Sequence, residues 1–272
     1  MAKFEVLCVT MHQNDFSKIN EMNIRSDVVF ANQCDRTAYE EHQFDGHTAK
    51  MISTQTRGVG INRNLTLTYA SADICLFADD DVVYDDDMEQ RVVAEFDAHP
   101  DADVFIFHLD TDNDKRKQIK YSKTRKHGRF ERMPWGGVRI AVRLSSLRKA
   151  NIWFTTLFGG GCIFPSGEDS MWLLEAKRKG LTFYVSKETI GKVSMEESTW
   201  FTGYDEKFFF AKGVFYACVH PKSIFLWMLY FALRTHGLGN MSFSEKLRWM
   251  KIGKQCYNDI ISFDEYKSKK NL

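Results

Sequence analysis

Three consecutive carboxylates, Asp79, Asp80 and Asp81, end an apolar run of strand length, Ile74-Cys75-Leu76-Phe77-Ala78. Ionised acids this close repel one another and resist desolvation. At the end of a buried strand they call for a cation, and carboxylate oxygens suit a hard divalent ion such as Mg2+ or Mn2+. A strand that is apolar throughout belongs in a sheet covered on both faces, whose carboxyl edge is where open α/β folds bind ligands. The chemistry expected is a metal with an anionic ligand. A second acidic run, Asp85-Asp86-Asp87, precedes the helical pattern Met88, Val92, Val93, Phe96 and is expected to cap that helix.

Two polar loops could supply the rest of a site. Thr54-Gln-Thr-Arg57-Gly58-Val-Gly60-Ile-Asn62-Arg63-Asn64 runs directly into a helix. Its glycines allow close backbone approach, and its arginines with the helix start favour a phosphate-bearing ligand. Neither a P-loop nor a dinucleotide fingerprint is present. Further on, Gly159-Gly-Gly-Cys-Ile-Phe-Pro165-Ser-Gly167-Glu168-Asp169 sets two acids at a helix start. Such acids commonly just complement the helix dipole. Three glycines before them suit a site that substrate approaches closely, where a carboxylate can accept a proton from an attacking hydroxyl.

Alternation of strands and helices must position these residues. Strands are expected at 4–9, 28–31, 50–52, 74–79, 104–108, 138–144 and 182–185, and helices through Ile61, Leu65 and Tyr69, over 87–99 and over 168–179. That order predicts an α/β fold with a Rossmann-like, mostly parallel central sheet flanked by helices. With 272 residues and 44% hydrophobic content, the chain can build one large domain with an appendage. We read 1–220 as the catalytic domain and 221–272 as a C-terminal amphipathic helical extension.

The formal charge of +1 conceals a basic stretch at 115–132, which reads as a solvated loop and not as a nucleic-acid surface. Six scattered cysteines without C-x-x-C spacing fit a reducing compartment. The opening strand leaves no room for a secretion signal, so a cytoplasmic location is expected. The run 224–233 is strongly apolar but well short of the ~20 residues that span a bilayer. After it, Phe243, Leu247 and Met250 alternate with Lys246, Arg248 and Lys251, a pattern that suits either packing on the domain or a place on a membrane surface.

Taken together, the Thr-Arg-Gly-Val-Gly-Ile-Asn-Arg-Asn loop, the Ala-Asp-Asp-Asp motif in D-x-D position and the Gly-Glu-Asp before a helix resemble the inverting family 2 glycosyltransferases of the GT-A fold. The resemblance runs from about Glu5 to about Val193. It implies a metal-dependent enzyme that moves a sugar from a nucleotide-sugar donor, a UDP-sugar foremost, to a hydroxyl of a glycan or lipid-linked acceptor in surface polysaccharide synthesis. It implies Mn2+ or Mg2+ at Asp79 and Asp81, with Asp80 near the ribose. It places Arg63 and Arg57 in the nucleotide pocket, Thr10 beside the base, and Asp169 as catalytic base with Glu168 next to it. Where many relatives carry two aspartates that read the base, this chain has Asn32-Gln33. The segment 193–198 lacks the late histidine that many relatives use as a metal ligand. A homo-oligomer and contact with the inner membrane face are compatible with this reading. Two other readings fit parts of the pattern: a sugar nucleotidyltransferase, and a non-catalytic scaffold of the same fold that docks on membranes.

Overall fold

The computed structural model describes residues 2–111, 120–128, 131, 136–193 and 203–270. They fall into two compact units, Met1–Thr155 with Asp169–Glu197, and Thr156–Glu168 with Ser198–Leu272.

The first unit is built on one sheet. In chain order its elements are β1 (Phe4–Met11), α1 (Lys18–Glu21), β2 (Asp27–Gln33), β3 (Ala38–Phe44), β4 (His47–Thr54), α2 (Val59–Tyr69), β5 (Ile74–Asp79), β6 (Val82–Tyr84) and α3 (Met88–Ala98). Then follow β7 (Val104–Thr111), β8 (Arg125–Lys126), a 3-10 turn at Gly137–Arg139, β9 (Ile140–Arg143), α4 (Leu144–Ala150), α5 (Glu168–Arg178) and β10 (Phe183–Val193). The sheet order is β3-β4-β2-β1-β5-β9-β7-β10-β6, with β8 against β10. Strands β4, β2, β1 and β5 run parallel, and β10 runs parallel to β7. β9 is antiparallel to both its neighbours, and β3 and β6 are antiparallel edges.

Alternate residues of β5 enter opposite cores. Ile74, Leu76 and Ala78 join one apolar cluster with Val6, Cys8 and Phe30, while Cys75 and Phe77 join the other with Leu7, Val29 and Trp172. Burial on both faces is why the run reads as continuously apolar. Register then brings three chain segments to one edge: Thr10 lies beside Asn32, Met11 beside Gln33, and Val9 beside Asp79.

The expected elements are present with shifted ends, and the strand expected at 182–185 continues to Val193. The expected strand over 138–144 is shorter, because its final residue starts α4. Asp87 occupies the N-cap position of α3 but makes no side-chain cap hydrogen bond. The acidic run acts instead through arginines: Asp85 and Asp87 pair with Arg91, and Asp86 with Arg25. Within the basic stretch, the described Lys120, Arg125 and Lys126 pair with Asp110, Glu131 and Asp101, and much of the remainder lies outside the described residues.

The second unit contains α6 (Glu206–Val219), α7 (Ile224–Arg234), α8 (Phe243–Asp259) and α9 (Phe263–Lys270), so helical structure begins upstream of residue 221. α6 and α8 meet backbone to backbone at two glycines: a Cβ on Gly213 would stand 2.0 Å from the Met250 carbonyl oxygen, and one on Gly253 would stand 2.1 Å from that of Phe210. A capping box, Ser242 with Glu245, starts α8. The buried Lys246 ammonium donates to the carbonyls of Thr235 and Leu238, satisfying backbone groups left open after α7. Among the described residues no helix is long and apolar enough to cross a membrane.

Candidate active site

Arg63 organises the carboxyl edge of the sheet. It projects from the first turns of α2, is 2% exposed, and lies over the Phe154 ring at 5.3 Å. One end of its guanidinium donates to Asp79 Oδ1 at 3.0 Å, and the other is ion-paired with Asp169 Oδ1. The acid that ends β5 is thereby joined to the acid in the first turn of α5, although 106 positions separate Arg63 from Asp169. Burial pushes the Asp79 carboxyl up from the usual range against the pull of Arg63, and the charge of Asp169 adds to the rise.

Glycines give this bridge its room. Gly58 precedes α2 with φ at 121°, a conformation side chains rarely adopt. A Cβ on Gly60 would stand 2.1 Å from the Thr155 carbonyl oxygen. Gly137 faces the ion pair itself: a Cβ there would fall 2.5 Å from Asp169 Oδ1 and 2.7 Å from Arg63 Nη1. Asn64 holds the Phe154 segment by both its amide groups, donating to the Phe154 carbonyl at 2.9 Å and accepting from its N–H at 2.8 Å.

The three adjacent acids have different surroundings. Asp79 takes Arg63. Asp80 accepts a short hydrogen bond from the buried Thr10 hydroxyl, which places Thr10 against the acidic motif. Asp81 is exposed and has no ion-pair or hydrogen-bond partner on another residue among the described ones. Although the residue is exposed, partial desolvation of its carboxyl, and then the charge of Asp79, raise it to about 6. The Tyr84 hydroxyl, buried and without a partner among the described residues, feels the charges of Asp79 and Asp81. Lys18, on α1, donates to the Asp80 carbonyl at 3.4 Å and pairs with Glu21 at 2.8 Å.

Asn32 and Gln33 turn into the protein. Asn32 bonds the Gln13 backbone on both sides and the Ser53 hydroxyl, and so closes the loop after β1. The Gln33 carbonyl group accepts from the Gly58 N–H at 2.9 Å and pins the loop before α2. Arg57 is exposed, paired with Asp35 at 2.7 Å and bonded to the Cys34 and Gln55 carbonyls. Glu168, in the second unit, is buried and accepts from the Gly167 N–H at 3.1 Å. The segment 194–198 lies outside the described residues. Sequence reasoning did not reach Lys18, Tyr84 or Gly137. Lys18 lies in a polar run without a motif, and the roles of the other two depend on contacts far along the chain.

Among the described residues no group of three or more His, Cys, Asp or Glu side chains is gathered to hold a metal. The donor set fits a cation that takes one or two carboxylates and completes its shell with water and substrate phosphates, as Mg2+ commonly does. Asp81, raised by desolvation and by the charge of Asp79, is the group such an ion would relieve.

Residues 26–155 match the family described as "Glycosyl transferase family 2". That segment, just under half of the chain, is the part that resembles a family 2 glycosyltransferase domain, and the fold is GT-A. Glycosyltransferase activity is what this match supports. The fold is also that of S. aureus TarS. Residues 1–349 of that protein in complex with UDP-GlcNAc align at 16% identity with a TM-score of 0.57, covering 98% of this chain and 76% of that one. The same fragment in complex with UDP aligns at 13% identity with a TM-score of 0.60, covering 99% and 92%. TarS over a longer span aligns at 15% identity and 0.55, with 98% of this chain and 45% of that one covered. No curated protein matches the chain by sequence.

Proposed function

We propose that this glycosyltransferase moves a sugar from a UDP-sugar to a hydroxyl of a glycan or lipid-linked acceptor in surface polysaccharide synthesis, with inversion at the anomeric carbon. The observation that carries the reading is the Arg63 bridge. It joins the acid suited to the donor's diphosphate, at Asp79, to an acid suited to the acceptor, at Asp169.

In this reading Asp169 accepts the proton of the acceptor hydroxyl as oxygen attacks the anomeric carbon from the face opposite the diphosphate. Arg63 holds the Asp169 carboxylate in orientation, and general-base help of this kind supplies about 10²–10⁴-fold. Thr10 and Lys18 are placed to bind the nucleotide side of the donor, Thr10 through Asp80. Arg57, exposed on the loop before α2, contacts it in this reading. Asn32 and Gln33 support the pocket by holding its loops, and Glu168 supports the loop before α5. Asp81 and Asp79 would hold Mg2+ or Mn2+, which when bound neutralises the leaving diphosphate. UDP-GlcNAc and UDP bound by TarS support a uridine donor.

The test is incubation of the purified chain with a panel of UDP-sugars and candidate acceptors, with and without Mn2+, followed by NMR of the glycosidic product. An inverted linkage formed only when Mn2+ is present supports the reading. Retention of configuration, or pyrophosphate release from nucleoside triphosphate in place of transfer, contradicts it.

A further inference from the structure

α7 reads IFLWMLYFALR and has no polar side among its first ten residues. One face is used inside the second unit, where Ile224, Met228 and Ala232 are buried at four-residue spacing. The other faces solvent, with Phe225 57%, Leu226 65%, Tyr230 49% and Leu233 58% exposed. A helix apolar all round is ordinarily covered all round, and a continuous exposed apolar face of this kind marks a docking surface. Eleven residues make a helix of roughly 16 Å, about half the hydrocarbon thickness of a bilayer, so α7 can lie on a membrane but not cross it.

Charge selects the occupant. No Asp or Glu occurs anywhere in 207–244, while Lys222 stands exposed just before α7 and Arg234 in its last turn. The Arg234 guanidinium donates to the Tyr230 hydroxyl at 3.0 Å, which brings the cation to the edge of the apolar face. A second copy of the chain suits this face poorly. Isologous antiparallel packing of α7 on its copy would set Lys222 of one against Arg234 of the other, with no acid in 207–244 to offset them. A surface with an apolar interior and phosphate at its rim matches both features.

We propose that α7 docks the protein flat on an anionic lipid bilayer, with Leu226, Tyr230 and Leu233 reaching below the headgroups and Lys222 and Arg234 meeting lipid phosphates. This goes beyond the sugar-transfer reading and stands without it. The test is co-sedimentation of the full chain with vesicles of phosphatidylglycerol and phosphatidylcholine, against pure phosphatidylcholine, at low and high salt. The full chain should pellet with anionic vesicles, and high salt should weaken that binding. Two double variants, Leu226→Ser/Leu233→Ser and Lys222→Glu/Arg234→Glu, change exposed positions, and circular dichroism confirms their fold. Each should lower the partition coefficient by about tenfold or more. Failure of the full chain to bind anionic vesicles, or equal binding by both double variants, overturns the proposal. So does a concentration-dependent dimer that Leu226→Ser/Leu233→Ser abolishes while vesicles capture nothing, which assigns the face to a second copy.

Discussion

Replacing Arg63 with methionine tests the bridge at the centre of the first unit. Methionine fills the volume of the arginine stem and keeps contact with Phe154, so the packing cost is small. The electrostatic cost is not. Removing one partner of a fully buried ion pair costs about 3–5 kcal/mol, and here two carboxylates lose the same cation. Their side chains are 28% and 22% exposed, so solvent screening brings the expected loss to about 2–4 kcal/mol. The loss has a pH signature. Burial already holds the Asp79 carboxyl above its ordinary range, and without Arg63 it rises further. A carboxyl raised in the folded state contributes stability that is full below its unfolded pKa and disappears as pH rises through the folded one. The deficit of the variant should therefore be large near about pH 8 and shrink toward about pH 5, as folded Asp79 takes up a proton. Urea unfolding followed by tryptophan fluorescence reads this, since Trp172 packs beside Phe77 and Phe154 in the same core. Arg63→Lys should fall between the two, because an ammonium is a single point of charge and cannot span both acids. A loss below about 1 kcal/mol, or a deficit that grows on acidification, would refute the reasoning.

Gly137→Ala should leave donor binding in place and lower turnover by about 10²-fold, since its methyl group displaces Asp169 or Arg63; steady-state kinetics beside calorimetric titration of UDP separates the two effects. Titration of Asp81 near 6 should weaken apparent Mn2+ affinity by about tenfold between about pH 7 and about pH 5, as protons compete for the carboxylate; calorimetry in the presence of UDP measures it, and Asp81→Asn should bind weakly throughout with no such pH dependence. Gly213→Ala should destabilise the second unit by about 1–3 kcal/mol, because the methyl meets the Met250 carbonyl with no side chain to yield; an unchanged unfolding midpoint for the helical signal would count against that close crossing.

The acidic edge was legible in sequence because β5 is buried on both faces, which leaves an unbroken apolar run that stops where the charge begins. α2 was legible for a similar reason, its glycines and asparagines marking the entry and its apolar positions the body. β3 was not, because an edge hairpin strand with the sequence AYEEHQF has mostly solvent-facing side chains and little apolar alternation. α6 escaped notice as a helix because EKFFFAKGVFYACV is apolar on nearly every side, and no helical period separates one face from another. The motifs named Arg63 and Asp169 separately, and only the crossover geometry of the sheet brings them together. Asn32 and Gln33 matched the position expected to read a base, yet both amides satisfy backbone groups of neighbouring loops, a role set by tertiary contacts.

The central claim is that Asp169 takes the acceptor proton, and Asp169→Asn tests it most directly. The amide oxygen can still accept from Arg63, so the site keeps its shape while its base is lost. Donor binding by calorimetry should stay within about twofold of the parent, and kcat for transfer should fall by about 10²-fold or more. Turnover at the parental rate would show that Asp169 serves only as the ion-pair partner of Arg63, and that another group accepts the proton.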